Sequence, residues 1–552
     1  MVELTAIPQF VRNSGRFREV TSVMAKYGLA GWLGNVRADW VQQLFRAQDG
    51  SHLGDLPIEV RIRSALAELG TTFIKLGQIL STRPDLIGPK LATELSKLQS
   101  GTPADDIETV RALFKEEFGR SPAEMFASFD ETALASASIA QIHRATLLEG
   151  QQVVVKVQHP QIQSRIENDL EIMLELAKLA ESFAPGIQKF QPVNTVTEFS
   201  RTLKRELDFE REARNIKHFT HNFSKAEKIR FPVAYPEISS RRVLTMDFLD
   251  GIGLSNTAAL TAAGYDLSAV AKRGATMFVD MIFRDGFYHA DPHPGNLLVL
   301  PNEVIGVLDC GMVGNIDEEL REQVEDMLLA AVDEDSDRLA EIVVRLGQVP
   351  QDLDRSALNN DLSDFVTDYR SQSLDQFDLS GALNAVVTIV RKHSIILPAR
   401  IALLLKVLIM LEGTARQLSP QFSLAELLEP YREQAIRRRL SPTRMWRKLN
   451  TAYRDWNHLV EILPVDLADI LGRMKQGRFD IHLDHRRLDS TVNRLVLGIV
   501  TAALFVGSAT LWSSQVPPKL WGYSIPGATG CLVAVLLGFR LLHAIRRSGD
   551  LD

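Results

Sequence analysis

The chain has 552 residues, of which 24% are charged and 45% hydrophobic, with a formal net charge of −7 and two cysteines. That length invites two or more domains, and the near-average charge carries no nucleic-acid signature. Two unlinked cysteines, Cys310 and Cys531, exclude a disulfide scaffold and fit a reducing compartment.

The first residues lack a long apolar core and a cleavage pattern, so no signal peptide is expected. Residues 12–46 are basic and aromatic, which suits either a membrane-surface helix or the solvated start of a helical extension. In residues 68–98, Leu69, Phe73, Leu76 and Leu80 are spaced for one helical face. Lys75 and Gln78 are three apart and therefore neighbours on that helix. Gly77 between them costs about 1 kcal/mol relative to Ala, which suits a position where something packs closely. On their own, Lys75 and Gln78 read as surface residues.

Residues 134–143, LASASIAQIH, form a small-residue loop containing Ala135, Ser136, Ala137 and Ser138. The next segment, residues 152–158 (QVVVKVQ), reads as a buried β-branched strand with one lysine, Lys156. Glu206, Asp208 and Glu212 follow in the run ELDFERE. Asp208 and Glu212, four apart, are expected on one helical face, with Glu206 offset. Residues 243–249 (VLTMDFL) read as a second apolar strand, which includes Asp247.

The most informative stretch is residues 288–299, YHADPHPGNLLV, followed by LDCG at 308–311. His289, Asp291 and Asn296 have the spacing of the kinase catalytic loop H-R-D-x-x-x-x-N, and Asp309 with Gly311 falls where D-F-G belongs. Residues 296–308 are expected to form an apolar hairpin between the two loops. Carboxylate and amide oxygens are the hard ligands that Mg²⁺ prefers. Asn296 and Asp309 are therefore the metal candidates, and Asp291 would orient or deprotonate a hydroxyl or a water. Phosphoryl transfer asks mainly for positioning and charge neutralisation. In that frame Lys156 holds phosphates and pairs with Glu212, and Asp247 falls at the adenine-binding hinge. No G-x-G-x-x-G precedes Lys156; the loop of Ala135–Ser138 takes its place without glycine's access to positive φ. The Ser136 and Ser138 hydroxyls either bind phosphate or serve as turn and cap residues.

Residues 317–428 read as mostly helical, completing a second lobe in which Lys406, Glu412 and Arg416 are expected to be structural. Residues 431–448 place seven Arg or Lys around Met445 and Trp446. This suits either anionic lipid headgroups or a solvated helix and linker. Residues 495–512 and 521–539 are two uncharged stretches, each close to the roughly 20 residues that cross a bilayer. Trp512, Trp521 and Tyr523 sit at their loop-side ends. Arg486, Arg487, Arg494, Arg540, Arg546 and Arg547 flank the pair, whereas the loop carries only Lys519, so the positive-inside bias places both chain ends in the cytoplasm.

Together, Lys75-Leu-Gly-Gln78, Ala135–Ser138, Lys156, Glu206-Leu-Asp208, HADPHPGN and LDCG resemble the UbiB family of atypical protein-kinase-like proteins. The resemblance runs from about residue 59 to about 420 and on to the C-terminal stretches. It implies an α+β, two-lobed kinase-like fold with an N-terminal helical extension and a C-terminal transmembrane helical hairpin. The expected boundaries are 1–115 for the extension, 116–430 for the ATP-binding core, 431–490 for a basic helical linker and 491–545 for the hairpin. It further implies that Lys75 and Gln78 cap the nucleotide site, that Glu206 and Asp208 contact that cap, and that the Ala-rich loop replaces the Gly-rich one. The cofactors implied are ATP or ADP with Mg²⁺, with slow ATP hydrolysis in support of ubiquinone biosynthesis. The partners implied are anionic membrane lipids, quinone intermediates and quinone-biosynthesis enzymes, at the cytoplasmic face of a bacterial plasma membrane. Two departures, Ser136 in the Ala-rich loop and Cys310 at the D-F-G phenylalanine position, leave the charged ligands intact. The alternative readings are a kinase acting on a small-molecule, lipid or protein acceptor, and a nucleotide-binding scaffold.

Overall fold

A computed structural model describes residues 14–29, 56–98, 102–183, 191–332, 335–350, 352–370, 378–439, 488–520 and 523–546. Most of the basic 12–46 stretch and of the 431–490 linker lies outside the described residues. The chain divides into two compact units, Met1–Ser441 and Pro442–Asp552.

The first unit opens with helices α1 (Ser14–Lys26), α2 (Ile58–Leu69), α3 (Thr71–Ser81), α4 (Pro84–Ile87) and α5 (Pro89–Leu95). The single helical face expected through Leu69 and Phe73 is in fact split between two helices. Gly70 separates α2 from α3 at φ +89°, a left-handed conformation that glycine adopts without a Cβ clash. Leu69 and Phe73 are both still buried, in a cluster with Phe17, Ile166 and Leu203. Beneath them Asp169, 1% exposed, accepts from Arg16 Nε at 2.8 Å and Thr72 Oγ1 at 2.6 Å. Gly77 faces α5: a Cβ there would lie 2.2 Å from Leu98 Cδ1, so the close neighbour expected from the sequence is Leu98.

Helix α6 (Ile107–Phe118) then backs an antiparallel sheet of β1 (Ser128–Phe129), β2 (Ala135–Ser136), β3 (Ala140–Thr146), β4 (Gln152–Gln158) and β6 (Val243–Asp247). The order is β1-β3-β4-β6, with β2 also on β3. Between β4 and β6 come α7 (Ile162–Phe183), α8 (Pro192–Glu206), α9 (Phe209–Asn222) and β5 (Ile229–Arg230). Asp208 is not on a helical face with Glu212. It has extended backbone and caps α9, accepting from Arg211 N at 3.2 Å. A short carboxylate at this point satisfies a free N–H better than it continues a helix.

The second lobe carries β7 (Ile252–Gly253), α10 (Leu267–Val279), β8 (Phe287–His289), the hairpin β9 (Leu297–Leu300) and β10 (Val304–Val307), and β11 (Val313–Asn315). Strands β9 and β10 pair antiparallel, with Leu297 opposite Val307, and β8 pairs with β11. Helices α11 (Glu318–Val332), α12 (Ser336–Leu346), α13 (Arg355–Arg370), α14 (Leu379–Lys392), α15 (Ala399–Leu418) and α16 (Leu424–Arg439) complete it. The expected helical completion is therefore present. Its core joins Phe278, Tyr288, Val307, Leu404 and Val407 in one cluster.

The described residues of the second unit form a helical hairpin, α17 (Leu488–Ser513) and α18 (Ile525–Arg546), joined through the short strands β12 (Lys519–Leu520) and β13 (Tyr523–Ser524). Small residues bring the helices together: a Cβ on Gly527 would lie 2.6 Å from Trp512 N, and one on Gly530 would lie 2.1 Å from Ser508 Oγ. Ile499, Val506, Leu532, Leu536 and Phe539 are exposed. Two full spans were expected, but α18 begins only at Ile525, because Tyr523 and Ser524 belong to β13. Among the described residues one segment, Val496–Ser513, is long and apolar enough to cross a membrane by length and composition; Ile525–Leu541 is shorter.

Candidate active site

Alternation along β4 aims the site lysine. Val153, Val155 and Val157 are buried with Val110, Leu113 and Phe114 of α6, so Val154 and Lys156 point to the opposite face of the sheet. There Lys156 Nζ lies 2.8 Å from Glu212 Oε2 and 3.4 Å from Asp309 Oδ2, with the Phe209 ring 5.0 Å from its charge. Burial opposes the ammonium, but Asp309 and Glu212 outweigh it and raise its pKa, so Lys156 is a fixed cation. Burial pushes the Glu212 carboxyl up against the pull of Lys156. Burial raises the Asp309 carboxyl pKa, but its side chain is 46% exposed, and Lys156 first and the Gly311 N–H next outweigh that burial and hold it at about 2.

The two loops of the motif are locked to each other. Asp291 N donates to His289 Nδ1 at 3.0 Å, so that nitrogen is the acceptor and the proton of a neutral ring sits on Nε2, which donates to Asp309 O. Leu308 N donates to Asn296 O at 2.9 Å, which sets Asn296 and Asp309 at the same end of the β9–β10 hairpin. Asn296 Nδ2 donates to Asp291 Oδ2 at 3.0 Å, leaving its amide oxygen as the acceptor for a cation. Gly311 N donates to Asp309 Oδ1 at 2.7 Å, and a Cβ on Gly311 would lie 3.1 Å from that oxygen, so a side chain there would press on the carboxylate. Cys310 is fully buried and its thiol pKa is raised by that burial, which makes it inert packing.

The remaining candidates separate. Lys75 Nζ pairs with Glu206 Oε1 at 2.6 Å, joining α3 to the end of α8. Gln78 Nε2 donates to Leu98 O at 3.1 Å. Asp208 is the α9 cap described above, and its Oδ2 lies 3.6 Å from Arg214 Nη2. Asp247 accepts from Tyr235 Oη at 2.8 Å and Val233 N at 3.2 Å, so its carboxylate braces the end of β6. In the Ala-rich loop Ala135 and Ala137 are exposed, Ser138 is buried and Ser136 is half-buried.

Sequence reading missed three residues of this region. His159 bridges Ala137 O and Asp105 Oδ2, at 2.7 Å each, and so clamps the Ala-rich loop. Asn215, one turn after Glu212, donates to Cys310 O at 2.9 Å; that spacing was a usable signal. Lys406 of α15 reaches Asp291 and had no local signal, since it lies far downstream in an apolar helix.

The donor set fits a nucleotide with Mg²⁺. Ser136 Oγ, Glu206 Oε2 and Glu212 Oε1 are buried without a hydrogen-bond partner among the described residues. Buried polar groups of this kind ordinarily have partners: a hydroxyl suits a phosphate oxygen, and carboxylate oxygens suit a cation. Mg²⁺ takes one or two protein oxygens and shares the rest with water and phosphate. Asn296 and Asp309 can supply those two.

Lys75→Ala would leave both oxygens of Glu206 without a cation. The expected cost is about 1–3 kcal/mol in denaturant unfolding, with an altered affinity for a fluorescent ATP analogue. Unchanged affinity in the folded variant would return Lys75 to an ordinary surface role.

The strand lysine paired with a helix glutamate, the hydrogen-bonded loops that carry Asp291 and Asp309, and the two-lobed architecture are those of an atypical kinase-like protein. Residues 97–343 match the ABC1 atypical kinase-like domain, 362–423 the UbiB helical domain and 480–547 the ABC1/UbiB kinase-like C-terminal domain. The chain is 34% identical to a probable protein kinase UbiB of Aeromonas salmonicida, over 86% of this chain and 89% of that one. A probable protein kinase UbiB of Glaesserella parasuis is 33% identical, over 85% and 87%. An uncharacterized protein in the hydrogenase 1 5' region of Clostridium pasteurianum is 31% identical, over 97% and 99%. The chain belongs to the ABC1/UbiB family of atypical kinase-like proteins.

Proposed function

We propose that the protein is a membrane-anchored, Mg²⁺-dependent ATPase that supports lipid-quinone biosynthesis, ubiquinone in particular, by making hydrophobic intermediates accessible to soluble enzymes. The observation that carries this reading is the contact set Lys156–Glu212–Asp309 beside Asp291–Asn296, in a chain that also carries the apolar hairpin α17–α18. In this reading Lys156 holds phosphate oxygens, Ser136 donates to one of them, and Asn296 and Asp309 hold the metal. Bound Mg²⁺ neutralises charge on the phosphates. Asp291 orients the attacking water. Lys75, tied to Glu206, covers the site from the N-terminal helices.

The hairpin is read as the anchor, inserted with its connecting loop away from the cytoplasm and in contact with anionic lipid. Its exposed apolar residues support this: Ile499, Val506, Leu532, Leu536 and Phe539 have no covering partner among the described residues. The name of the Aeromonas and Glaesserella relatives, and a cavity lined by Lys406, whose Nζ is 3.8 Å from Asp291 Oδ1, favour a second reading in which a small-molecule, lipid or protein acceptor takes the phosphoryl group.

The test is quinone analysis in cells lacking the protein. Loss of lipid quinone with accumulation of its precursors is expected. Unchanged levels of both would remove the pathway assignment.

A further inference from the structure

Lysine is rarely buried in a protein core without a partner. Helix α15 is buried on most sides, through Ile401, Leu404, Leu405, Val407, Leu408 and Leu411, yet it carries Lys406 among them. The Lys406 side chain is 18% exposed, and its Nζ lies 3.8 Å from Asp291 Oδ1. The other carboxylate oxygen, Oδ2, accepts from Asn296 at 3.0 Å. Asp291 is thus held at both oxygens by groups from two separate elements, and neither oxygen can turn without giving up a partner.

The two holds differ in kind. The Asn296 contact is a hydrogen bond, whereas 3.8 Å is an ion-pair distance beyond hydrogen-bond range. Oδ1 therefore keeps its lone pairs for a proton donor while the neighbouring cation fixes its direction. Lys406 also lines a cavity of about 240 Å³ between α4 and α5 on one side and α14 and α15 on the other. Asp85, Thr93, Val387 and Leu405 line it as well. Burial pushes the Lys406 ammonium pKa down while Asp291 pulls it up, so the two groups sense each other.

We propose that Lys406 is a positioning residue for Asp291: its ammonium fixes the carboxylate so that Oδ1 faces the incoming hydroxyl or water, and it couples that carboxylate to the cavity. This rests on the reading of Asp291 as the residue that orients the nucleophile, and it assigns to α15 a part in the site that neither motif loop contains.

The experiment is a double-mutant cycle on the full-length protein, with Lys406→Met to keep the apolar stem against the cavity wall, Asp291→Asn, and the pair together. Lys406→Met is expected to lower kcat on the order of 10- to 100-fold, as misplacement of a catalytic group does, with KM for MgATP within about two-fold. Lys406→Arg is expected to restore part of the loss. In the Asp291→Asn background Lys406→Met should cost nothing further. A full additional loss in the double variant, or unchanged kcat in Lys406→Met, would overturn the proposal.

A second readout needs no nucleotide. After reductive methylation with ¹³C-formaldehyde, the Lys406 resonance, identified by its absence in Lys406→Met, should shift in Asp291→Asn. A resonance at the same position in both proteins would overturn the pairing. If the wild-type protein releases no phosphate, it is the ATPase reading that fails, and the pairing is decided by the resonance alone.

Discussion

Asp309→Asn is expected to lower MgATP turnover on the order of 10³-fold, the scale seen when one preorganised electrostatic contact to a developing charge is lost. The substitution is nearly isosteric, and the Gly311 N–H that now donates to Asp309 Oδ1 can donate equally to an asparagine oxygen. What disappears is the negative charge beside Lys156; in the proposed reading an amide oxygen, a hard but uncharged ligand, then replaces the anionic one facing Mg²⁺. Metal-free nucleotide binding should therefore change little, while the Mg²⁺ concentration needed for half-maximal rate rises. Turnover within about three-fold of wild type would place the metal on other residues. The pH dependence follows from the depressed pKa. Because the folded value is about 2 against an ordinary 3.8, the charge contributes stability that is whole above about pH 4 and is lost as pH falls through 2. The stability difference between wild type and Asp309→Asn should accordingly be constant from pH 5 to 8 and shrink only in acid.

The second large effect is on the fold. Asp85, with 2% of its side chain exposed, holds Arg83 at 2.8 Å, and Arg83 Nη2 donates to Leu397 O at 3.0 Å. This buried pair joins the N-terminal helices to the second lobe. Asp85→Ala would leave the largely buried guanidinium with only the Leu397 carbonyl and the exposed Glu198 carboxylate at 3.9 Å, so a loss of about 3 kcal/mol in denaturant unfolding is expected. Replacing both residues, as Arg83→Met with Asp85→Leu, should recover much of that loss, because no unpaired charge remains. A double variant as unstable as Asp85→Ala would show that the pairing itself, and not the stranded charge, sets the cost.

How much of this could be read from the sequence depended on how local the determinant was. The alternation of Gln152–Gln158 alone puts Lys156 opposite the α6 face, and the spacing of His289, Asp291, Asn296 and Asp309 alone puts them on two loops joined by a hairpin. Helix breaks were harder. Hydrophobic spacing continues through Gly70 and Asp208, but a glycine at positive φ and a capping carboxylate each end a helix without disturbing the periodicity around them. Asp247 falls in the expected strand, yet its partner Tyr235 lies in an irregular segment with no pattern to read. Lys406 reads as structural because nothing near it in sequence refers to Asp291; only the packing of α15 brings its Nζ to 3.8 Å from Asp291 Oδ1. In the hairpin, composition shows where apolar residues are but not where α18 starts: the second run begins at Trp521, four residues before its helix.

The central claim is that this site turns over MgATP in a membrane setting. The measurement is phosphate release by the purified full-length protein in anionic liposomes, with Asp309→Asn alongside and the lipid and protein fractions analysed for phosphorylated products. Release that requires Asp309 and leaves no phosphorylated acceptor is the expected result. A stoichiometric phosphorylated lipid or protein would make the protein a kinase, and confirmed nucleotide binding with no release under any lipid composition would contradict the account.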